Sequence, residues 1–347
     1  MNFIVNDRRI GESAPVYMIA EMSGNHAGSL ENAIKIVHAA KESGADCIKI
    51  QTYTPDTMTI DSDKEWFKIR NGTWKGDTLY KLYQKAYTPW EWQSRLEEEA
   101  KKIGIDFLST PFDRTAVDFL EDLGVSFYKI ASFEIIDIPL IKYIASKQKP
   151  IIMSTGNATL GEIEDAVKAV KSQENIQLCL LKCSSAYPAI PEDMNLKTIK
   201  HLSDTFNVVA GLSDHSLGSI AAVTSVALGA KVIEKHFTIS RQIENPDSSF
   251  SMEPQEFKQM VEDVRAAERA IGRISYDISE KEKESLIFRR SIFAVEDITE
   301  GNLLTEKNVK VIRPGYGLKP KYFDEVIGKR ALKNIERGTP LSWSMIE

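Results

Sequence analysis

Lys231-Val-Ile-Glu-Lys-His-Phe-Thr238 begins apolar and β-favouring and turns, at its C-terminal end, to acid, base and imidazole. A buried strand that finishes in charge is aimed at a site rather than at a core. Side chains alternate along a strand, so Val232, Glu234 and His236 share one face and Ile233 and Lys235 the other. A lone histidine at a strand end is more often a satisfied core residue than a ligand. A second run, Val208-Val-Ala-Gly-Leu-Ser-Asp-His215, ends in the same way, however, with Ser213 and His215 on one face. Two neighbouring strands of this kind can bring two imidazoles to one metal ion or substrate.

Outward from these two runs, the chain alternates between apolar stretches and helical patterns. The apolar stretches are Val16–Glu21, Cys47–Thr52, Asp106–Thr110, Phe127–Ser132, Pro150–Thr155, Gln177–Cys183, Val208–Ser213 and Val232–Phe237. The intervening patterns carry helix signals: Leu30, Ile34 and Val37 follow Ser29 and stop at Gly44, and capping boxes stand at Thr88-Pro-Trp-Glu91, with proline at the first helical position, and at Thr159-Leu-Gly-Glu162. The last pattern, Phe257, Val261, Val264 and Ile271, closes at Gly272. Strand-helix units repeated eight times over about 255 residues predict an α/β fold, a (β/α)8 TIM barrel. A doubly wound open sheet is disfavoured, because Glu21-Met-Ser-Gly-Asn-His-Ala-Gly28 after the first strand lacks G-x-G-x-x-G.

Ahead of the barrel, Phe3-Ile-Val, Asn6-Asp7 and Arg8-Arg-Ile read as a hairpin closed by Gly11. Residues 1–272 thus form a barrel domain with an N-terminal hairpin. Residues 273–285, with Glu280-Lys-Glu-Lys-Glu284, read as a charged linker, and 286–347 as a small β-rich domain with short runs at Ser291–Val295 and Val309–Ile312.

The chain has 347 residues, 42% hydrophobic and 27% charged, enough for a large core and a small one. No apolar run approaches membrane-spanning length, and the first residues lack a signal peptide's apolar core, so a cytoplasmic location is expected. The cysteines, Cys47, Cys179 and Cys183, are odd in number, lie in apolar runs and read as reduced core residues. A net charge of −6 without a basic, aromatic-laced stripe argues against nucleic acid as a partner.

In a (β/α)8 barrel the chemistry lies at the C-terminal strand ends. Here those ends carry Glu21, Lys49 with Gln51, Thr110, Lys129 with Ser132, Ser154, Lys182 with Ser184, Ser213 with His215, and Glu234 with His236. Each lysine alone could be a snorkelling or ion-paired side chain. Several at strand ends together, with hydroxyls, suit a small polyanion such as a phosphate ester that also bears a carboxylate. Two imidazoles are too few for a closed zinc site but suffice for a catalytic ion with mixed nitrogen and oxygen ligation, such as Mn²⁺. Glu21 and Glu234 suit general acid-base work or sugar hydroxyls. His26, His38 and His201 lie in a loop and in helices, where packing or surface roles are expected. The long connection from Thr54 to Tyr87, with Trp66, Phe67, Trp74, Tyr80 and Tyr83, is a candidate lid.

These motifs resemble those of the sialic acid synthases over essentially the whole chain: Ile19-Ala-Glu-Met-Ser-Gly-Asn-His26, Ile48-Lys-Ile-Gln51, Ser109-Thr-Pro-Phe-Asp113, Tyr128-Lys-Ile-Ala-Ser132, Ser154-Thr-Gly156, Gly211-Leu-Ser-Asp-His215 and Ile233-Glu-Lys-His-Phe237. The tail, from Arg289-Arg-Ser-Ile through Ile312-Arg-Pro-Gly315 to Ile327-Gly-Lys, resembles that family's antifreeze-like (SAF) domain. Ala20-Glu-Met-Ser-Gly, the Trp74–Tyr83 insertion and Cys183-Ser-Ser-Ala-Tyr-Pro188 are most similar to the branch that makes pseudaminic acid.

The resemblance implies condensation of phosphoenolpyruvate with an open-chain amino-sugar aldehyde, 2,4-diacetamido-2,4,6-trideoxy-L-altrose in that branch. N-acetylneuraminate and legionaminate synthesis are the alternatives within the family. It implies that Lys49, Thr110, Lys129, Ser132, Ser154, Ser184 and Ser213 hold phosphoenolpyruvate. Glu21, Gln51, Tyr187, Asp247 and, from a partner chain, Arg313 would hold the sugar, and His215 and His236 a divalent ion, Mn²⁺ with Mg²⁺ or Co²⁺ as substitutes. Glu21, Glu234, His215 and His236 would be the catalytic set, and the assembly a domain-swapped homodimer. A Schiff-base aldolase using a buried lysine, or a non-catalytic carbohydrate-binding protein, are the rival readings.

Overall fold

The computed structural model describes residues 2–347. Internal contacts divide it into a first unit that ends at Gly272 and a second, Arg273–Glu347. In the first, β3 (Tyr17–Glu21), β4 (Cys47–Thr52), β5 (Asp106–Pro111), β6 (Tyr128–Ile130), β7 (Ile151–Ser154), β8 (Leu178–Cys183), β9 (Val209–Asp214) and β10 (Val232–His236) form a closed parallel barrel, with β10 returning to pair with β3. The strands are buried along almost their whole length because one face fills the barrel and the other is covered by helices. Tyr17, Ile19, Cys47, Leu108, Phe127, Ile152, Cys179, Leu181, Val209 and Val232 pack together with Phe3, Val5 and Ile10 of the hairpin. Met18, Ala20, Ile48 and Ile50, one residue out of phase, pack against helical residues such as Ile36, Val37 and Leu96. Among the described residues no helix is long and apolar enough to cross a membrane.

The hairpin of β1 (Asn2–Val5) and β2 (Arg8–Gly11) turns at Asn6 and Asp7, both left-handed at φ 46° and 64°, a conformation these short polar side chains tolerate. The core of the barrel unit is thereby extended by three hairpin residues.

The observed strands follow the eight apolar stretches. The one shortened markedly is Phe127–Ser132, where only Tyr128–Ile130 is strand and Ser132 opens a 3₁₀ turn to Ile136. Ser29 caps the helix Leu30–Glu42, and both halves of the Thr159–Glu162 box form. The Thr88 box does not. That helix runs from Trp90 to Ile103 with Pro89 as its N-cap, and Thr88 Oγ1 instead lies 3.3 Å from His26 Nε2. A buried ring nitrogen needs a partner more than an N-terminal amide that can turn to water, so the hydroxyl goes to His26. His26 is accordingly a packing residue, edge-on to Trp92, and burial lowers its pKa to about 4.

In the second unit the charged stretch is partly helical, Glu280–Glu284, capped reciprocally by Ser279 and Glu282. The rest pairs β11 (Ser291–Ala294) with β12 (Val309–Ile312) over a core of Ile292, Ile298, Leu304, Val309, Val326, Ile335 and Leu341.

Candidate active site

The register of three ladders assembles the site. Glu234 on β10 stands opposite Ser213 on β9, His236 opposite Glu21 on β3, and Glu21 opposite Lys49 on β4. Residues about 5 Å apart across neighbouring strands meet without any loop having to fold over them. Lys49 Nζ lies 2.7 Å from Glu21 Oε2 and 3.5 Å from Glu234 Oε1, and donates to Thr110 Oγ1 at 3.4 Å. Lys129 Nζ donates to Ser154 Oγ at 2.7 Å and stands 4.0 Å from Glu234 Oε2. Ser213 Oγ donates to Glu234 Oε1 at 3.3 Å, and Gln51 Nε2 donates to Glu21 Oε1 at 2.9 Å.

Both lysines and both glutamates are at most 5% exposed, so their charges act in a low dielectric. Burial opposes the Lys49 charge, but Glu21 and Glu234 outweigh it and raise its pKa. Burial lowers Lys129 and outweighs the support of Glu234, 4.0 Å away, which the neighbouring Lys49 charge partly offsets. The carboxylates separate in the same way: burial raises Glu21 against the pull of Lys49, whereas for Glu234 the attractions of Lys129 and Lys49 exceed the effect of burial and lower it. Pushing two nearby carboxyls in opposite directions suits them to separate acid and base roles.

The two imidazoles converge at the next level of the mouth, ring centroids 5.3 Å apart. His215 Nδ1 is 3.0 Å from the Ser184 carbonyl, which selects the tautomer protonated at Nδ1 and leaves Nε2 free. His236 Nδ1 is buried and without a hydrogen-bond partner. Tyr187 lies over His215, centroids 4.2 Å apart and planes at 30°, with Phe250 beside both Tyr187 and His236. Asp247 is buried and accepts from Gly24 N at 3.0 Å.

Of the residues singled out in the sequence, Glu21, Lys49, Gln51, Thr110, Lys129, Ser154, Ser213 and Glu234 are linked in this one network. Ser132 adjoins it, accepting from Gly156 N at 3.1 Å, and a Cβ on Gly156 would run into the hydroxyls of Ser185 and Ser132. The Ser184 hydroxyl is turned to the Asp193 carbonyl at 3.2 Å, so it is the backbone of Ser184 that meets His215. Lys182 is half-buried with its ammonium on the Cys183 carbonyl. Arg313 is exposed in the second unit, directly after β12.

Three features of the site escaped sequence reasoning. Cys183, read as core, is buried but borders the site: its Sγ is 3.9 Å from His215 Nδ1 and 3.8 Å from Ser185 Oγ. Burial raises its pKa, and the pull of His215 with hydrogen bonds from Ser132 and Ser185 outweighs this and brings it to about 6. Its place at the end of β8, opposite Ser213, is the signal that could have found it. Glu134, in the turn after β6, has a buried oxygen without a partner, and burial raises its pKa to about 7. Behind the imidazoles, Lys235 Nζ bonds Asp214 Oδ2 at 2.7 Å and the Ser216 carbonyl at 2.6 Å, on the face of β9 and β10 opposite the site.

The two rings and the partnerless His236 nitrogen fit a divalent ion that completes its shell with water and substrate oxygens. Among the described residues no group of three or more His, Cys, Asp and Glu side chains is placed to hold a metal, so an ion there would rest on two protein ligands.

Comparison with known proteins agrees with this architecture. Residues 36–276 match the model of the NeuB family and residues 289–347 that of the SAF domain. The chain is 50% identical over 329 residues to a pseudaminic acid synthase of Campylobacter jejuni, covering 95% of this chain and 96% of that one. It is 45% identical over 334 residues to the pseudaminic acid synthase of Helicobacter pylori, covering 96% and 98%. Among solved structures, the N-acetylneuraminic acid synthetase of Leptospira borgpetersenii superimposes with a TM-score of 0.73 at 31% identity, over 82% of this chain and 95% of the other. By its barrel, its strand-end residues and these matches, the chain belongs to the NeuB family and carries a SAF domain at its C-terminal end.

Proposed function

We propose that this protein condenses phosphoenolpyruvate with 2,4-diacetamido-2,4,6-trideoxy-L-altrose and water to give pseudaminic acid and phosphate. The observation that carries the reading is the pair of buried lysines, each bonded to a hydroxyl, set below two convergent imidazoles in one barrel mouth. Identity of 45–50% to two pseudaminic acid synthases supports the choice of product over N-acetylneuraminate or legionaminate.

Lys49, Lys129, Thr110, Ser154 and Ser213 would hold the phosphate and carboxylate of phosphoenolpyruvate, displacing part of the lysines' pairing to Glu21 and Glu234. The enol carbon attacks the aldehyde carbon, forming the new carbon-carbon bond while the aldehyde oxygen takes up a proton. Glu21, raised by burial, is the better proton donor of the two carboxyls. Water captures the cation left at the second carbon, and the carbon-oxygen bond to phosphate then breaks. His215 and His236 would hold a divalent ion, Mn²⁺ or a similar one, which when bound supplies Lewis-acid polarisation of the aldehyde oxygen. Tyr187, Gln51 and Asp247 line the side of the mouth where the sugar would lie.

The same reading has the enzyme in the cytoplasm, in keeping with three free cysteines, and as a homodimer in which Arg313 serves the partner's site. Exposed apolar side chains at Ile274 and Tyr276, 93% and 97% accessible, support an interface with a second chain.

The test is mass spectrometry of products from phosphoenolpyruvate offered with the altro-configured diacetamido sugar, its manno-configured relatives or N-acetylmannosamine. The altro sugar is expected to react fastest. Faster condensation of N-acetylmannosamine under matched conditions overturns the choice of sugar, and covalent trapping of sugar by borohydride would favour the aldolase.

A further inference from the structure

The long connection after β4 contains a two-stranded arm. Lys68 and Thr78 pair antiparallel, Ile69 N bonds the Asp77 carbonyl at 2.9 Å, and Gly76 N returns to the Ile69 carbonyl at 3.0 Å. Gly72 and Gly76 turn the arm at φ 81° and 102°, values that other residues adopt only under strain. No residue from Asp56 to Asp77 is buried, and of the arm only Thr78, which caps the helix Leu79–Ala86, is, so burial holds the arm at its base alone.

Its tip is nevertheless fixed on two other loops. Thr73 Oγ1 donates to the Tyr187 carbonyl at 2.8 Å, and Trp74 Nε1 donates to the Pro246 carbonyl at 2.8 Å. The Trp74 ring lies 5.5 Å from the Tyr187 ring, on whose other contacts His215 sits at 4.2 Å. The contacts are selective: one loop carries Tyr187 and the other places Asp247 directly after Pro246, whereas none of these three contacts, two hydrogen bonds and one ring contact, reaches Lys49, Thr110, Lys129, Ser154 or Ser213. A lightly packed segment with few anchors opens more readily than the body it rests on. The geometry points to the arm Lys68–Thr78 as a strap that closes over the acceptor half of the site, with Trp74 as a positioning residue that holds Tyr187 against His215. This rests on the proposed reaction only in taking that half of the mouth to receive the sugar.

The test compares the wild type with Trp74→Ala, Trp74→Phe and Thr73→Val, on whichever acceptor of the panel the wild type turns over. Trp74→Ala is expected to raise the KM for the acceptor tenfold or more while the KM for phosphoenolpyruvate stays within twofold. Trp74→Phe, which keeps a ring beside Tyr187, is expected to recover most of the loss, and Thr73→Val to shift the acceptor KM alone. Lys68 and Arg70, 46% and 67% exposed, are open to trypsin, and the acceptor is expected to slow cleavage there several-fold in the wild type but not in Trp74→Ala. Equal changes in both KM values, no change in either, or undiminished acceptor protection in Trp74→Ala overturns the strap. A wild type active on a different sugar overturns the choice of substrate and leaves this comparison intact.

Discussion

At the scale of the residue, the site works through groups held away from water. Under the proposed reaction His215 and His236 would be its nitrogen donors to a divalent ion, and replacing either by alanine should lower turnover by roughly two or more orders of magnitude, as when a Lewis acid or its geometry is lost. Mn²⁺ titration of the purified protein should show weakened binding in both variants, with an unchanged circular dichroism spectrum. Full activity in chelator would argue for a metal-free reaction. Glu134 offers a different check. Burial lifts its pKa to about 7 from 4.5, so the unfolded chain releases this proton at lower pH than the folded one. Its favourable contribution is complete below about pH 4.5 and is lost as pH rises through 7, on the order of 3 kcal/mol in all. Glu134→Gln should therefore be more stable than the wild type at pH 8 and gain little or nothing at pH 5, as read from urea midpoints. An equal shift at both values would mean that the carboxyl is solvated.

At the scale of the element, β9 and β10 present their chemistry on one face and secure their position on the other. Alternation sends Ser213, His215, Glu234 and His236 to the mouth and Asp214 and Lys235 behind it, where the ion pair is at most 1% exposed and Asp214 Oδ1 also accepts from Ser216 N and Oγ. Such a pair adds little net stability over an apolar one, yet removing one partner strands a buried charge. Lys235→Ala should cost about 3–5 kcal/mol in chemical denaturation, and Lys235→Met with Asp214→Leu should restore most of it. Failure of the double variant to recover would mean that the Ser216 bonds, rather than the charges, hold the strands. The strands also approach closely at Gly211, where any Cβ would meet the Val232 carbonyl oxygen. Only glycine lets the two site-bearing strands lie at this distance.

At the scale of the whole molecule, the question is whether one chain completes its own site. Mixing Arg313→Ala with His215→Ala separates the possibilities, because each homodimer should be nearly inactive. A random heterodimer with shared sites puts both defects in one site and leaves the other whole, so about a quarter of all sites should recover if subunits exchange freely. Verified heterodimers without recovery would mean that Arg313 serves its own barrel, and an active Arg313→Ala homodimer that it serves no site.

The barrel and its functional end were legible in the sequence because both rest on local patterns: apolar runs at strand length, caps and glycines between them, and polar residues at each run's C-terminal end. Glu21, Lys49, Lys129, Glu234 and the two histidines could be singled out on that ground, since strand direction alone carries them to the mouth of such a barrel. The tertiary structure decided the pairings. That Lys49 bonds both glutamates, that Cys183 lies against His215, that Thr88 goes to His26 rather than capping its helix, and that the arm tip at Trp74 rests on Tyr187 and Pro246 all join residues far apart in the chain. Periodicity reports which face a side chain occupies, whereas the partner across that face is set by ladder register and loop path, to which residues tens or hundreds of positions away contribute equally.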